Sequence, residues 1–249
     1  MVKGVDLSCW NKNVDYKKLK EQGIEYAILR VGYGKDAGQK DSMFETHYQG
    51  CVDAGIKVGA YHYSYVTEIN NAIKEAENCL NYLGNKKLDL PVFYDLEEQR
   101  TAKLGKDTIT EIAIIFANKI KSAGYKAGVY ANLNWYKNYI KPYELLTEDI
   151  KIWLAQWEVE KPTADFPYDF WQYCDDLVVG NIVCDGNLCE GQELLPDNDI
   201  IDIDICKSMA VDVIYGKYGN GEQRKEILGI YYDEVQKIVN DMYRIIKGD

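Results

Sequence analysis

The feature that most constrains this chain is an alternation of short apolar runs with amphipathic stretches, several of which close on a glycine. "KGVDLS" (3–8) reads as a strand, and "VDYKKLKEQG" (14–23) as a helix ending on Gly23. "YAILRVGYG" (26–34) is the next strand, followed by a helix over about 41–54 that stops at Gly55. "KVGAYHYSY" (57–65) is a strand, and "EINNAIKEAENCLNYLG" (68–84) is a helix with its own terminal glycine. "LPVFYDLE" (90–97) and "KAGVYAN" (126–132) are strands flanking a helix, "KDTITEIAIIFANKIKSAG" (106–124), with Asp107 or Thr108 as its expected cap. A chain that alternates in this way builds a parallel sheet covered by helices.

After about residue 145 the helices fade. "IKIWLAQW" (150–157), "YDFWQY" (168–173) and "IIDIDI" (200–205) read as strands joined by irregular segments. The fold class is α/β, and a barrel whose later strands lack long covering helices accounts for the asymmetry. In such architectures sites gather at the C-terminal ends of strands. The acids there are Asp6 after the first strand, Asp95 and Glu97 after the fourth, and Asp202 and Asp204 in the last strand-like run. Side chains two apart on a strand share a face. Asp95 and Glu97 therefore form one unit, as do Asp202 and Asp204, while Glu98 points away.

A single strand-end Asp is ordinarily a loop cap. Several together repel, which raises the pKa of at least one and allows a neutral acid beside an ionised partner. Glycoside hydrolysis needs that arrangement. Hard carboxylate oxygens also suit Mg²⁺ or Ca²⁺, so a metal-dependent phosphodiesterase is the competing chemistry. With only His47 and His62 in the chain, a histidine-rich zinc site is disfavoured. Aromatic residues crowd the same strands: Tyr33, Tyr61, Tyr63, Tyr94, Tyr130, Trp153, Trp157, Trp171 and Tyr173. Rings beside carboxylates favour a carbohydrate over a phosphate ester, which would call for Lys or Arg; beyond the lysines at the strand starts, Arg30 is the basic residue within these strands.

Composition removes other classes. The net charge is −11, which argues against nucleic acid as a partner. Apolar runs are strand-sized, so membrane insertion is not expected. The N-terminus lacks a basic start followed by an apolar stretch, so no secretory signal is read and synthesis in the cytoplasm is expected. The 7 cysteines are odd in number and form no CxxC, which favours free thiols over a disulfide framework. No cofactor is called for, and the oligomeric state is open, a monomer being compatible.

The segments "GVDLS", "YAILRVGYG", "VGAYHYSY", "PVFYDLEE", "AGVYAN", "IWLAQW", "FWQY" and "DIDI" together resemble, in order and spacing, the glycoside hydrolase family 25 lysozymes. The resemblance covers about residues 1–206. It implies an irregular TIM-like (β/α) barrel of about eight strands and five helices. The implied activity is hydrolysis of the β-1,4 bond between N-acetylmuramic acid and N-acetylglucosamine in bacterial peptidoglycan. It implies Glu97 as the protonated general acid, Asp95 as its ionised partner, and Asp6 and Asp202 as the other two acids. Tyr33, Tyr61, Tyr63, Tyr130, Trp153, Trp171 and Tyr173 are the expected groove residues. Asp95 either orients the substrate's own 2-acetamido group or acts directly, as nucleophile or base. An inactive peptidoglycan-binding protein on the same scaffold is the alternative of a different class.

Residues 207–249 carry 7 positive and 7 negative charges, so the whole excess lies in 1–206. They read as three short helices, over about 208–216, "GNGEQRKEIL" and "YYDEVQKIVNDMYRIIK". This stretch resembles the cell-wall-binding repeat at the C-terminus of some phage lysins, which implies a separate wall-binding module and an endolysin acting on the wall from the host cytoplasm. One departure from the family lies between "WQY" and "DID". Residues 174–201 form a longer acidic stretch with Cys174, Cys184 and Cys189, and Cys206 follows; it reads as an inserted hairpin near the groove.

Overall fold

The computed structural model describes residues 1–191, 203–228 and 231–247. They divide into two compact units, Met1–Leu194 and Leu195–Asp249. The first is a closed barrel of eight strands in sequential order. Its elements are β1 (Val2–Leu7), α1 (Tyr16–Glu21), β2 (Ile24–Tyr33), α2 (Phe44–Asp53), β3 (Lys57–Tyr63), α3 (Ile69–Leu83), β4 (Val92–Asp95), α4 (Lys106–Ser122) and β5 (Ala127–Asn132). Then follow α5 (Leu133–Asn138), α6 (Pro142–Thr147), β6 (Lys151–Ala155), β7 (Phe170–Val179) and β8 (Ile182–Cys189). Neighbours from β1 to β7 pair in parallel, whereas β8 runs antiparallel to both β7 and β1.

The local chemistry explains the element ends. Asp15 caps α1 by accepting from the Lys18 amide at 3.1 Å. Gly23 and Gly55 follow α1 and α2 with φ of +87° and +69°, a conformation that costs a residue without Cβ little. α4 buries Ile109, Ile112, Ala113, Phe116 and Ile120 along one stripe. Its cap differs from expectation. Gly105 occupies the cap position with no side-chain bond, and Asp107 lies in the first turn, where it pairs with Lys141 at 2.7 Å.

Rings plug the barrel interior. Phe93 meets Trp153 and Phe170 edge to face at 5.2 and 5.3 Å, and Tyr26 meets Phe170 at 5.7 Å. Glycines make the room. A Cβ on Gly4 would lie 2.3 Å from the Tyr26 ring, and one on Gly128 would lie 2.4 Å from the Phe93 ring. With the interior filled below, the open space lies above it, at the C-terminal ends of β1 to β6.

The eighth strand is not the expected one. Residues 203–205 open a helix, α7 (Ile203–Ile214), so Asp204 is not on a strand, and Asp202 lies outside the described residues. The barrel is closed instead by β8, from the stretch expected to be an inserted hairpin. A hairpin is indeed present. β7 and β8 join through Gly180 and Asn181, with Gly180 at φ +62°, as a two-residue turn of the primed kind requires.

The second unit holds α7, α8 (Glu222–Leu228) and α9 (Tyr232–Lys247). The expected division at 206/207 thus falls inside α7. The three helices share a small core in which Cys206, Ala210, Val213, Leu228, Val235 and Val239 are buried. Among the described residues no helix is long and apolar enough to cross a membrane, and no disulfide joins any of the cysteines.

Candidate active site

A cleft of about 320 Å³ opens at the C-terminal end of the barrel, and Asp6, Asp95, Glu97 and Asp185 all line it. Asp6 and Asp95 stand near the ends of β1 and β4 and are 7% and 5% exposed. Glu97 lies two residues beyond Asp95, past the end of β4. The alternation nonetheless continues: Leu96 is buried in the outer core, Glu97 reaches the cleft, and Glu98 pairs with Arg100 at 3.1 Å. The expected pairing of Asp95 with Glu97 therefore holds, with Glu98 set apart.

The fourth acid of the inner cluster is Asp185 on β8; Asp175 on β7 also lines the cleft, and the sequence reading passed over both. Three further side chains it did not single out organise the acids. Gln172 Nε2 donates to Asp6 Oδ2 at 3.0 Å and to Asp185 Oδ2 at 3.3 Å. Asn187 Nδ2 donates to Asp6 Oδ2 at 2.8 Å. Asn132, at the end of β5, donates through Nδ2 to Glu97 Oε2 at 3.1 Å. Gln172 and Asn187 are 2% and 0% exposed, as buried amides should be only when fully engaged. Gln172 accepts from Tyr130 OH at 2.9 Å and Trp157 Nε1 at 3.1 Å, and Asn187 accepts from Trp153 Nε1 at 2.8 Å.

Burial raises all four carboxyl groups above their ordinary range. Asp6 is pushed up by loss of water, against the hydrogen bonds from Asn187 and Gln172. Asp185 is pushed to about 8, first by burial and then by Asp6 beside it. Glu97 is raised by burial, with the Asn132 amide opposing. Asp95 is raised by burial, then by the charges of Glu97 and Asp6, and only Arg30 opposes. Its Oδ1 is buried without a hydrogen-bond partner. Asp95 is thus the costlier of the pair to ionise in the site as it stands, the reverse of the expected order. Arg30 lines the cleft and is held at 2.7 Å by Asp41, whose side chain is fully buried.

The expected groove residues divide. Tyr61, Tyr63, Tyr130 and Trp153 line the cleft. Tyr33, Trp171 and Tyr173 do not. Tyr33 packs edge to face on Tyr65, Trp171 is 5% exposed with Nε1 bonded to Gln156 O, and Tyr173 sits against Trp171 and Gly186. Tyr94 faces the helices instead, stacked on Phe116 at 3.9 Å. Trp10, after β1, lines the cleft without having been singled out. Among the described residues no three His, Cys, Asp or Glu side chains converge in a geometry that would hold a metal ion.

Residues 5–182 match the family described as glycosyl hydrolases family 25, and residues 207–242 match the CW_7 repeat. The chain is 30% identical over 194 residues to the autolytic lysozyme of Clostridium acetobutylicum, covering 77% of this chain and 56% of that protein. It is 26% identical to lysozyme M1 of Streptomyces globisporus, covering 73% and 64%. The chain thus spans less than two thirds of the length of these two curated relatives. Among solved structures, the fold is similar to that of the CTP1L endolysin, with a TM-score of 0.71 at 22% identity, covering 97% of this chain and 100% of that one. It is also similar to the bacterial lysozyme of Streptomyces coelicolor, with a TM-score of 0.67 at 24% identity, covering 76% and 92%.

Proposed function

The chain belongs to glycosyl hydrolases family 25, and from that premise we propose that it is a muramidase of the endolysin type. It cuts the β-1,4 bond between N-acetylmuramic acid and N-acetylglucosamine in bacterial peptidoglycan. The observation that carries the reading is the convergence of Asp6, Asp95, Glu97 and Asp185 on one cleft walled by Tyr61, Tyr63 and Tyr130. The lysozyme names of the relatives support it.

Glu97 acts as the general acid. Asn132 fixes it through Oε2, so that Oε1 is the oxygen presented to the glycosidic bond. Asp95 acts on the 2-acetamido group of the sugar being cut. Asp95 lines the cleft, and a bond from the acetamido N–H to its carboxylate offsets the cost of ionising it. The acetamido oxygen then attacks the anomeric carbon, the bond to the leaving oxygen breaks, and the Glu97 proton passes to that oxygen. In the second step water gives its proton to Glu97 and opens the cyclic intermediate. Asp6, held by the Gln172 and Asn187 amides, places negative charge beneath the developing oxocarbenium ion, with the protonated Asp185 beside it.

The CW_7 repeat holds the enzyme on the wall, and the net neutrality of residues 207–249 leaves the acidic excess on residues 1–206. An enzyme of this type belongs to a phage or prophage and reaches the wall from the host cytoplasm. The test is mass spectrometry of peptidoglycan digested by the wild type and by Glu97→Gln. Products with N-acetylmuramic acid at new reducing ends, lost in the variant, are expected. Undiminished cleavage by Glu97→Gln would sink the proposal.

A further inference from the structure

Trp10 is 81% exposed and lines the same cleft as the four acids. Single exposed apolar residues are common on proteins, but this one sits on a loop tied down on every side. Ser8 N donates to Asn11 Oδ1 at 3.0 Å, and Asn11 N donates to Ser8 O at 3.0 Å. Cys9 N donates to Asp41 Oδ2 at 3.0 Å, and Trp10 N to Ser8 Oγ at 3.4 Å. Asn11 Nδ2 reaches across to Val183 O on β8 at 3.2 Å. The loop and the β7–β8 hairpin are therefore tied together, and the backbone that carries the exposed indole is held in place.

The other tryptophan of the cleft cannot serve the same purpose. Trp153 is 1% exposed, and its Nε1 is bonded to Asn187. Tyr130 is 6% exposed. Of the rings that line the cleft Trp10 is the most exposed, and Val183, 58% exposed, also lines it. An indole of this kind suits the apolar face of a pyranose ring, whose hydroxyls then point sideways to water.

Resting on the muramidase reading, we propose that Trp10, flanked by Val183, is a sugar platform outside the bond-cutting position. It stacks against a pyranose of the glycan strand next to the pair that spans the scissile bond. A platform remote from the reacting atoms binds ground state and transition state alike, so its loss raises KM and leaves kcat in place.

The test compares wild type, Trp10→Ala and Trp10→Phe on soluble glycan strands prepared from peptidoglycan. Alongside the kinetics, binding of the N-acetylglucosamine tetramer is followed by calorimetry. Trp10→Ala should raise KM about tenfold with kcat and the pH profile unmoved, and should weaken tetramer binding by a similar factor. Trp10→Phe should recover most of both. An active wild type whose KM and tetramer affinity are indifferent to Trp10→Ala overturns the platform alone. So does a fall in kcat at constant KM. A wild type that binds the tetramer through Trp10 but cuts no muramyl bond overturns the muramidase reading and supports the platform.

Discussion

Asp6 on β1 and Asp185 on β8 are direct cross-strand partners in the antiparallel pair that closes the barrel, bridged by the one amide of Gln172. Two carboxyl groups facing each other in this way weaken a sheet when both are charged. Asp185 escapes much of that penalty by keeping its proton up to about pH 8.

The first prediction follows from that pairing. The folded pKa of Asp185 lies above its unfolded value, so its contribution is favourable in acid and is lost as pH rises towards 8. Asp185→Asn should leave thermal stability at pH 4 nearly unchanged and raise it by about 1–3 kcal/mol at pH 8. Muramidase activity below pH 8 should stay within about threefold of wild type, because the amide replaces a carboxyl group that is itself neutral there. Melting curves at the two pH values, with initial rates beside them, check both parts.

Asp185 also shows where the sequence stops being readable. Seven strands and the long helices follow from apolar runs and terminal glycines, and Asp95 with Glu97 from a period of two. β8 does not, because "IVCDGNLC" turns polar side chains inward: Asp185 to the cleft and Asn187 to Asp6. Local pattern preferred "IIDIDI", whose last three residues begin α7. The buried amides Gln172 and Asn187 were silent for a related reason. Their partner Asp6 lies 166 and 181 residues away, so no local spacing announces the bonds. Trp171 and Tyr173 looked like groove residues, and adjacency in sequence could not tell which ring the barrel turns outward.

Asn132 provides the second prediction. Its amide stabilises the ionised form of Glu97 and so holds down a pKa that burial raises. Asn132→Ala should move the alkaline limb of the kcat/KM profile to higher pH, since the general acid keeps its proton longer. Glu97→Gln should lower kcat by about 10²–10⁴ at every pH. Rates on soluble glycan strands from pH 4 to 9 distinguish the two. An unmoved alkaline limb in Asn132→Ala would remove Glu97 from the acid role.

The third prediction concerns a carboxyl group behind the site. Glu75 on α3 is 1% exposed; it accepts from Tyr94 OH at 2.7 Å and from the Tyr65 amide at 3.1 Å. Burial outweighs those bonds and pushes it up to about 6 from 4.5. A raised folded pKa means stability that is complete below 4.5 and lost as pH rises through 6. The loss is about 2 kcal/mol, or roughly 4–8 °C in Tm for a chain of this size. Glu75→Gln should remove that part of the slope, so the difference in Tm between variant and wild type should widen between pH 4.5 and 7. Parallel melting curves across that range would refute the assignment.

The last prediction separates holding the wall from cutting it. Within the helical unit Arg224 donates twice to Gly219 O, at 3.0 and 2.7 Å, once to Asn220 Oδ1 at 2.9 Å and once to Gln236 Oε1 at 3.1 Å. One guanidinium thus ties the turn before α8 to α9, with the fixed fork that lysine lacks. Arg224→Ala leaves one backbone carbonyl and two side-chain amide oxygens without their donor and should destabilise this unit by about 2–3 kcal/mol. Retention on sedimented cell walls should fall, while the rate on soluble glycan strands stays within about twofold of wild type, since the acids all lie in the other unit. Equal losses of retention and soluble rate would mean that the repeat supports the barrel rather than the wall.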